Sequence, residues 1–318
     1  MRGRDTSGLC SLNDMPNAGA RFMHHSHWDD VLFVHYPVDT AALQQRLPPE
    51  LVADEHGGVS YVGIVALTEA GIVPWPKGAP LWLMQCIGLS HFAVNVRTYV
   101  RPRSGGPAGI FFFSLDCSSL LPTLGARLLF NLPYRFATME RHVLRDDLEG
   151  SRSGQPGALM RALTSRTHLT SASFSAEWVG LEEVQDTDDD PLGSLGPFFV
   201  ERYTLYNEAG WSAAGVLRCL SWLMGFGSTS IWSGTITHAP WPLHRVRLLS
   251  WSSSVLEAVG LSHIVNGEPV AHCSQGVKSI TFFWQGFVSH SQGAQPPVAA
   301  LSGCERVSES PQAFPDPI

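Results

Sequence analysis

Between His91 and Arg101 the chain alternates without interruption: Phe92, Val94, Val96 and Val100 fall on one side of an extended backbone, and His91, Asn95, Arg97, Tyr99 and Arg101 fall on the other. A period of two fits a strand and excludes an amphipathic helix. One face of such a strand packs, and the other must meet water or a ligand. Its partner follows directly. Arg103–Gly109 carries the Gly and Pro of a turn, and Ile110–Leu115 returns as a continuous apolar run suited to burial on both faces.

The same reading extends along the chain. Trp28–Tyr36 predicts a strand stopped by Pro37, and Asp39 or Thr40 caps a short helix carrying Leu43 and Leu47. Val59, Tyr61, Gly63, Val65 and Leu67 mark a second strand. Ser118 or Ser119 starts a helix with Leu121, Leu124 and Leu128 at helical spacing, ended by Asn131-Leu132-Pro133, after which Tyr134–Glu140 resumes a strand. Further strands are expected at Thr167–Trp178, within Pro197–Tyr206, at Gly234–His238, and once or twice within Pro269–Phe287. A helix is expected from about His244 to Val259, stopped by Gly260. The fold class is mainly β (α+β), with few helices.

Residues 1–20 and 289–318 are rich in Gly, Ser, Asn, Gln and Pro and are expected to be disordered, leaving 21–288 as one domain. The stretch 211–232 is an apolar insertion, interrupted too often by Gly, Ser and Arg218 to span a membrane. Hydrophobic residues make up 44% and charged residues 15%, a globular composition. The formal charge is −7, of which Glu182, Glu183, Asp186, Asp188, Asp189 and Asp190 carry six, leaving −1 elsewhere. Nothing steers the chain to nucleic acid or to a membrane. Six scattered cysteines without a C-x-x-C pair read as free thiols in a reducing, cytoplasmic setting, and the first residues hold no secretory signal. His24, His25 and His27 form an exposed cluster rather than a metal site, because no further ligands accompany them at a defined spacing. No cofactor is called for, and self-association into a homo-oligomer is left open.

Common nucleotide, serine-hydrolase and zinc-protease motifs are absent. The candidate chemistry lies in polar residues set among strands. Arg97 shares a face with Asn95 and Tyr99, and a guanidinium suits a carboxylate. Glu201 and Arg202 adjoin Tyr203 and Tyr206, and His238 precedes a Pro-Trp-Pro corner. The competing reading is structural: Arg97 paired with Glu201, the tyrosines hydrogen-bonded at a core edge, and His238 donating to a carbonyl.

RTYV at Arg97–Val100, GIFFFSLD at Gly109–Asp116, ARLLFNLPYRFATM at Ala126–Met139, ERYTLY at Glu201–Tyr206 and THAPWPLHRV at Thr237–Val246 resemble the YqjF-like family, the domain of unknown function 2071. The opening from Trp28 to Leu51 is similar too. That family is grouped with the acetoacetate-decarboxylase-like superfamily. The resemblance implies an antiparallel β-barrel with a central cavity and a few peripheral helices. In the superfamily's decarboxylases a lysine after a proline forms a Schiff base, and the matching segment places Tyr134 where that lysine would stand. An imine-forming decarboxylase is therefore not expected. Relatives usually carry an acid two residues before the asparagine of N-x-R-T-Y, and here that position is Ala93.

The resulting expectation is a barrel that binds a small, carboxylate-bearing molecule, lined by Asn95, Arg97, Tyr99, Tyr134, Glu201, Arg202 and His238. Two alternatives stand beside it. One is an enzyme of lyase or isomerase type using Tyr134 or His238 as acid/base on a keto acid, and the other is an interaction protein using the 211–232 insertion.

Overall fold

The computed structural model describes residues 21–74, 88–145, 159–167, 171–183, 195–208, 231–237 and 241–287, all within the compact unit Ala18–His290. Twelve strands are described: β1 Arg21–Val38, β2 Leu51–Ala53, β3 Ser60–Pro74, β4 Leu89–Pro102, β5 Gly109–Cys117, β6 Tyr134–Arg145, β7 Leu159–Thr167, β8 Ala172–Glu183, β9 Thr204–Glu208, β10 Ile231–Thr237, β11 His244–Ser253 and β12 Val270–Phe287. Four short α-helices sit between them: α1 Thr40–Gln44, α2 Leu120–Phe130, α3 Leu195–Val200 and α4 Val255–Ala258. Asp39 caps α1 by accepting from the Ala42 amide at 2.6 Å.

Hydrogen bonding closes the sheet into a nine-strand barrel, β5-β6-β7-β8-β11-β12-β1-β3-β4 and back to β5. A second ring runs β12-β1-β3-β4-β5-β9-β10 and back to β12. The rings part at two forked strands. The start of β5 pairs with β9 while its end pairs with β6, and β12 meets β11 at His272 and Cys273 but β10 from Thr281 onward. Between the forks, β12, β1, β3, β4 and β5 form a wall common to both rings.

Because both sides of that wall are covered, successive residues serve different cores. On β1, Leu32 and Val34 join Ile64, Val96, Leu163, Phe174 and Trp178 inside the nine-strand ring. Val31 and Phe33 join Val65, Tyr99, Ile110, Phe199, Leu205 and Ile236 inside the smaller one. The expectation that the polar face of His91–Arg101 meets water or a ligand narrows: Arg101 is exposed and Arg97 half-buried, while His91, Asn95 and Tyr99 are buried because a second ring closes over them.

Three other expectations change. Residues 244–259 are not one helix; β11 occupies 244–253 and only Val255–Ala258 is helical. The unpaired edge of β8 takes β11 in a ladder from His244↔Glu183 to Ser253↔Phe174, satisfying backbone groups that a helix would leave orphaned. The Thr167–Trp178 strand is two, turned at Ser171 with φ 53°. The histidines at 24 and 25 are buried on β1, which starts at Arg21 and pairs on both edges. Of the 211–232 insertion, residues 211–230 lie outside the described residues and Ile231 and Trp232 open β10. No described helix is long and apolar enough to cross a membrane.

Gly276 permits the tightest approach in the common wall. Its φ is +125°, and a Cβ there would lie 1.8 Å from the Trp28 carbonyl oxygen. Gly276→Ala is expected to lower unfolding free energy by about 2–4 kcal/mol through strain and steric insertion, read as a shifted denaturant midpoint.

Candidate functional site

The smaller ring holds a cavity with about 930 Å³ of space between atoms, open solvent at its mouth included. Its wall is mainly apolar, with Val31 and Phe33 from β1, Val65 and Leu67 from β3, and Ile110 and Phe112 from β5. Polar groups gather at two places.

The first is Arg97, with Asn95 beside it on β4. Arg97 donates from Nη2 to the Phe199 carbonyl at 3.0 Å, and its guanidinium carbon stands 5.6 Å from the Phe33 ring centre and 5.8 Å from that of Tyr99. Beneath it, Tyr99 has its hydroxyl 2.5 Å from His35 Nε2, and His35 stacks on Phe199 at 3.7 Å between ring centres. His272 lies in the same aromatic stack. Burial, then His272 and Arg97, hold His35 well below the usual imidazole range. Burial and Arg97 push His272 down to about 3. Both imidazoles are thus neutral, and among the described residues no carboxylate lies within ion-pair distance of Arg97. Gly63, directly opposite Arg97 on β3, makes room for His35: a Cβ there would be 2.7 Å from its ring.

The second polar place is Glu69 on β3, paired across the ladder with His91. Its Oε2 lies 3.4 Å from His91 Nε2 and 3.5 Å from His25 Nδ1. His25 Nδ1 already accepts from the Trp28 indole at 2.8 Å, so it carries no proton to offer a carboxylate. Burial pushes the Glu69 carboxyl up to about 8 and lowers His91 to about 4. Burial, with His91 and His24, lowers His25 to about 3. The cluster is therefore a neutral acid flanked by neutral imidazoles.

Tyr134 lines the cavity from the first position of β6, where its backbone pairs with Leu115. Burial, followed by Glu69 and Cys117, holds its phenol well above the usual range, so it is a hydrogen-bond donor and not a base. Asn95, Arg97, Tyr134 and Arg202 thus border one cavity. Arg202 is already balanced: Nη1 bonds Asp54 Oδ2 at 2.7 Å and Nε bonds the Phe198 carbonyl at 2.6 Å, while Asp54 also takes Arg101. Tyr99 is fully buried behind Arg97 and does not border the cavity. Glu201 accepts from the Tyr203 hydroxyl instead of pairing with Arg97. His238 lies outside the described residues.

A family model described as an uncharacterised conserved protein, DUF2071, matches residues 25–278. The chain belongs to the DUF2071 family. The uncharacterised protein YqjF of Bacillus subtilis strain 168 is 25% identical over 264 residues, covering 81% of this chain and 88% of YqjF. Among solved structures, the enduracididine biosynthesis enzyme MppR in complex with pyruvate aligns with a TM-score of 0.52 at 13% identity, over 88% of this chain and 95% of that one. Acetoacetate decarboxylase from Legionella pneumophila aligns at 0.49 and 13% identity, over 86% and 88%. The chain of this DUF2071 protein therefore shares the fold of MppR.

Within that barrel, the described lysine, Lys278, is exposed on β12 opposite His27, and Lys77 lies outside the described residues. Sequence reasoning missed Glu69, His25 and His91 as site residues. Glu69 had a signal: the alternation Tyr61, Gly63, Val65, Leu67 reaches it in one more step. Ala93 faces Leu67, so the acid that the resemblance places at 93 is missing there, and Glu69 brings a carboxyl two cross-strand pairs along the ladder.

Glu69 holds its proton more tightly folded than unfolded. Its contribution is therefore full below about 4.5 and is lost as pH rises towards about 8. The two histidines act oppositely at lower pH, gaining stability as pH rises towards 6.5. Glu69→Gln is expected to remove a downward slope of up to about 1.4 kcal/mol per pH unit between those carboxyl limits. Denaturant unfolding of both proteins across that range checks it.

Proposed function

We propose that this DUF2071 protein binds a small carboxylate-bearing molecule in the barrel cavity, with Arg97 as the anion partner. One observation carries this reading: Arg97 brings a charge into an apolar cavity, and no described carboxylate balances it. Arg97 is half-buried, and a cation partly withdrawn from water without a counter-ion is disfavoured, so a planar carboxylate in contact with its fork offsets that cost. Arg202 is the internal contrast, since Asp54 already neutralises it. The fold neighbour MppR, solved with pyruvate, supports short 2-oxo acids as first compounds to try.

In this reading Asn95 and Tyr134 orient the ligand by hydrogen bonds. Tyr134 stands in the cavity where an imine mechanism needs an amine, and a phenol forms no imine. The protein is thus a binder, with no Schiff-base step.

Calorimetric titration with pyruvate and acetate tests the reading. Wild type is expected to bind, and Arg97→Gln to weaken binding about 10- to 100-fold, the worth of hydrogen bonds to a charged group. Equal affinity in both proteins would sink it. Borohydride reduction in the presence of pyruvate is expected to leave the protein mass unchanged; an adduct on Lys77 or Lys278 would restore imine chemistry.

A further inference from the structure

Resting on that carboxylate reading, we infer that the ligand is an extended acid, with its carboxylate at Arg97, an apolar body along the cavity, and a second, uncharged hydrogen-bonding group at Glu69. The ladder between β3 and β4 sets the length. Arg97 faces Gly63, Asn95 faces Val65, Ala93 faces Leu67, and His91 faces Glu69. Arg97 and His91 are six residues apart on one strand, about 20 Å at the rise of a β-strand. A two- or three-carbon acid held at Arg97 leaves the Glu69 end unfilled.

The wall between the two ends is apolar. Val65, Leu67, Phe112 and Leu115 line it, and they bind a hydrocarbon or aryl body better than a polar one. The far end then changes character. Glu69 borders the cavity, and its Oε2 is buried without a hydrogen-bond partner among the described residues. Buried polar atoms are normally paired, and the ligand's terminal group is the partner the cavity admits.

Charge fixes the orientation. Glu69 faces His25, His91, Tyr134 and Cys117 among the described residues, none of them a cation at neutral pH. A carboxylate gains nothing there and gains an ion pair at Arg97. A hydroxyl or carbonyl suits Glu69, because the acid can donate to it. The body corresponds to a chain on the order of ten carbons for a span of about 20 Å between Cα positions.

Titration calorimetry of the full chain with acetate, hexanoate, decanoate and ω-hydroxydecanoate tests this. Affinity is expected to rise about three- to fourfold per methylene up to decanoate, and ω-hydroxydecanoate to bind about tenfold tighter than decanoate. Glu69→Leu is expected to abolish the preference for the hydroxyl while decanoate still binds. Leu67→Trp, placed midway, is expected to block decanoate and spare acetate. Acetate binding that depends on Arg97 but does not improve with chain length would overturn the extended ligand and leave the preceding reading standing. Absence of binding by every acid would overturn both. Long acids binding wild type and Arg97→Gln alike would mean unspecific apolar uptake, which also overturns it.

Discussion

The wall of five strands common to both rings governs what every residue on it can do. β12, β1, β3, β4 and β5 are covered on both sides, so no side chain on the middle of this wall reaches bulk water by choosing the other face. Aliphatic residues fill the nine-strand ring on one side. On the other side a polar residue must be paired within the wall or must face the cavity, since a buried unpaired polar group costs about 1–3 kcal/mol. This architecture buries Asn95 and half-buries Arg97.

Two arginines show how differently that constraint can be met. Arg202 sits on a carboxylate that also holds Arg101, and its remaining donor goes to a backbone carbonyl. Arg97 is held by ring faces, one carbonyl and the Tyr99 hydroxyl, groups that position a guanidinium without cancelling its charge. Burial and that same charge keep His35 and His272 neutral below it, so the stack gives rigidity and adds no competing cation. Gly63 belongs to this arrangement because the space above its α-carbon is where the His35 ring lies.

Period-two patterning made β3, β4 and β5 legible in the sequence, and it placed Asn95 and Arg97 together on the face that borders the cavity. It could not show what lay opposite that face. The strands that close over it, β9 and β10, come much later in the chain, β9 meeting β5 at Ile110↔Leu205. Residues 244–253 misread as helix for the same reason: the partner that makes them a strand is β8, remote in sequence. His25 looked like part of an exposed cluster because nothing local reveals that Glu69 and Phe282 close over it. Tyr134 became interpretable only through a family resemblance, since a tyrosine after a proline has no signature of its own.

Tyr134 and Glu69 together limit what the cavity can do beyond binding. Burial raises both, so near neutral pH each keeps its proton and donates. His25 and His91 are acceptors held far below the range in which they would carry a proton. A decarboxylase of the imine type needs an amine nucleophile, and neither a phenol nor a carboxylic acid replaces it. The described walls instead supply a fixed positive charge at one end and neutral donors and acceptors at the other. In the proposed reading, such a field recognises an anion by one terminus and a carbonyl or hydroxyl at the other.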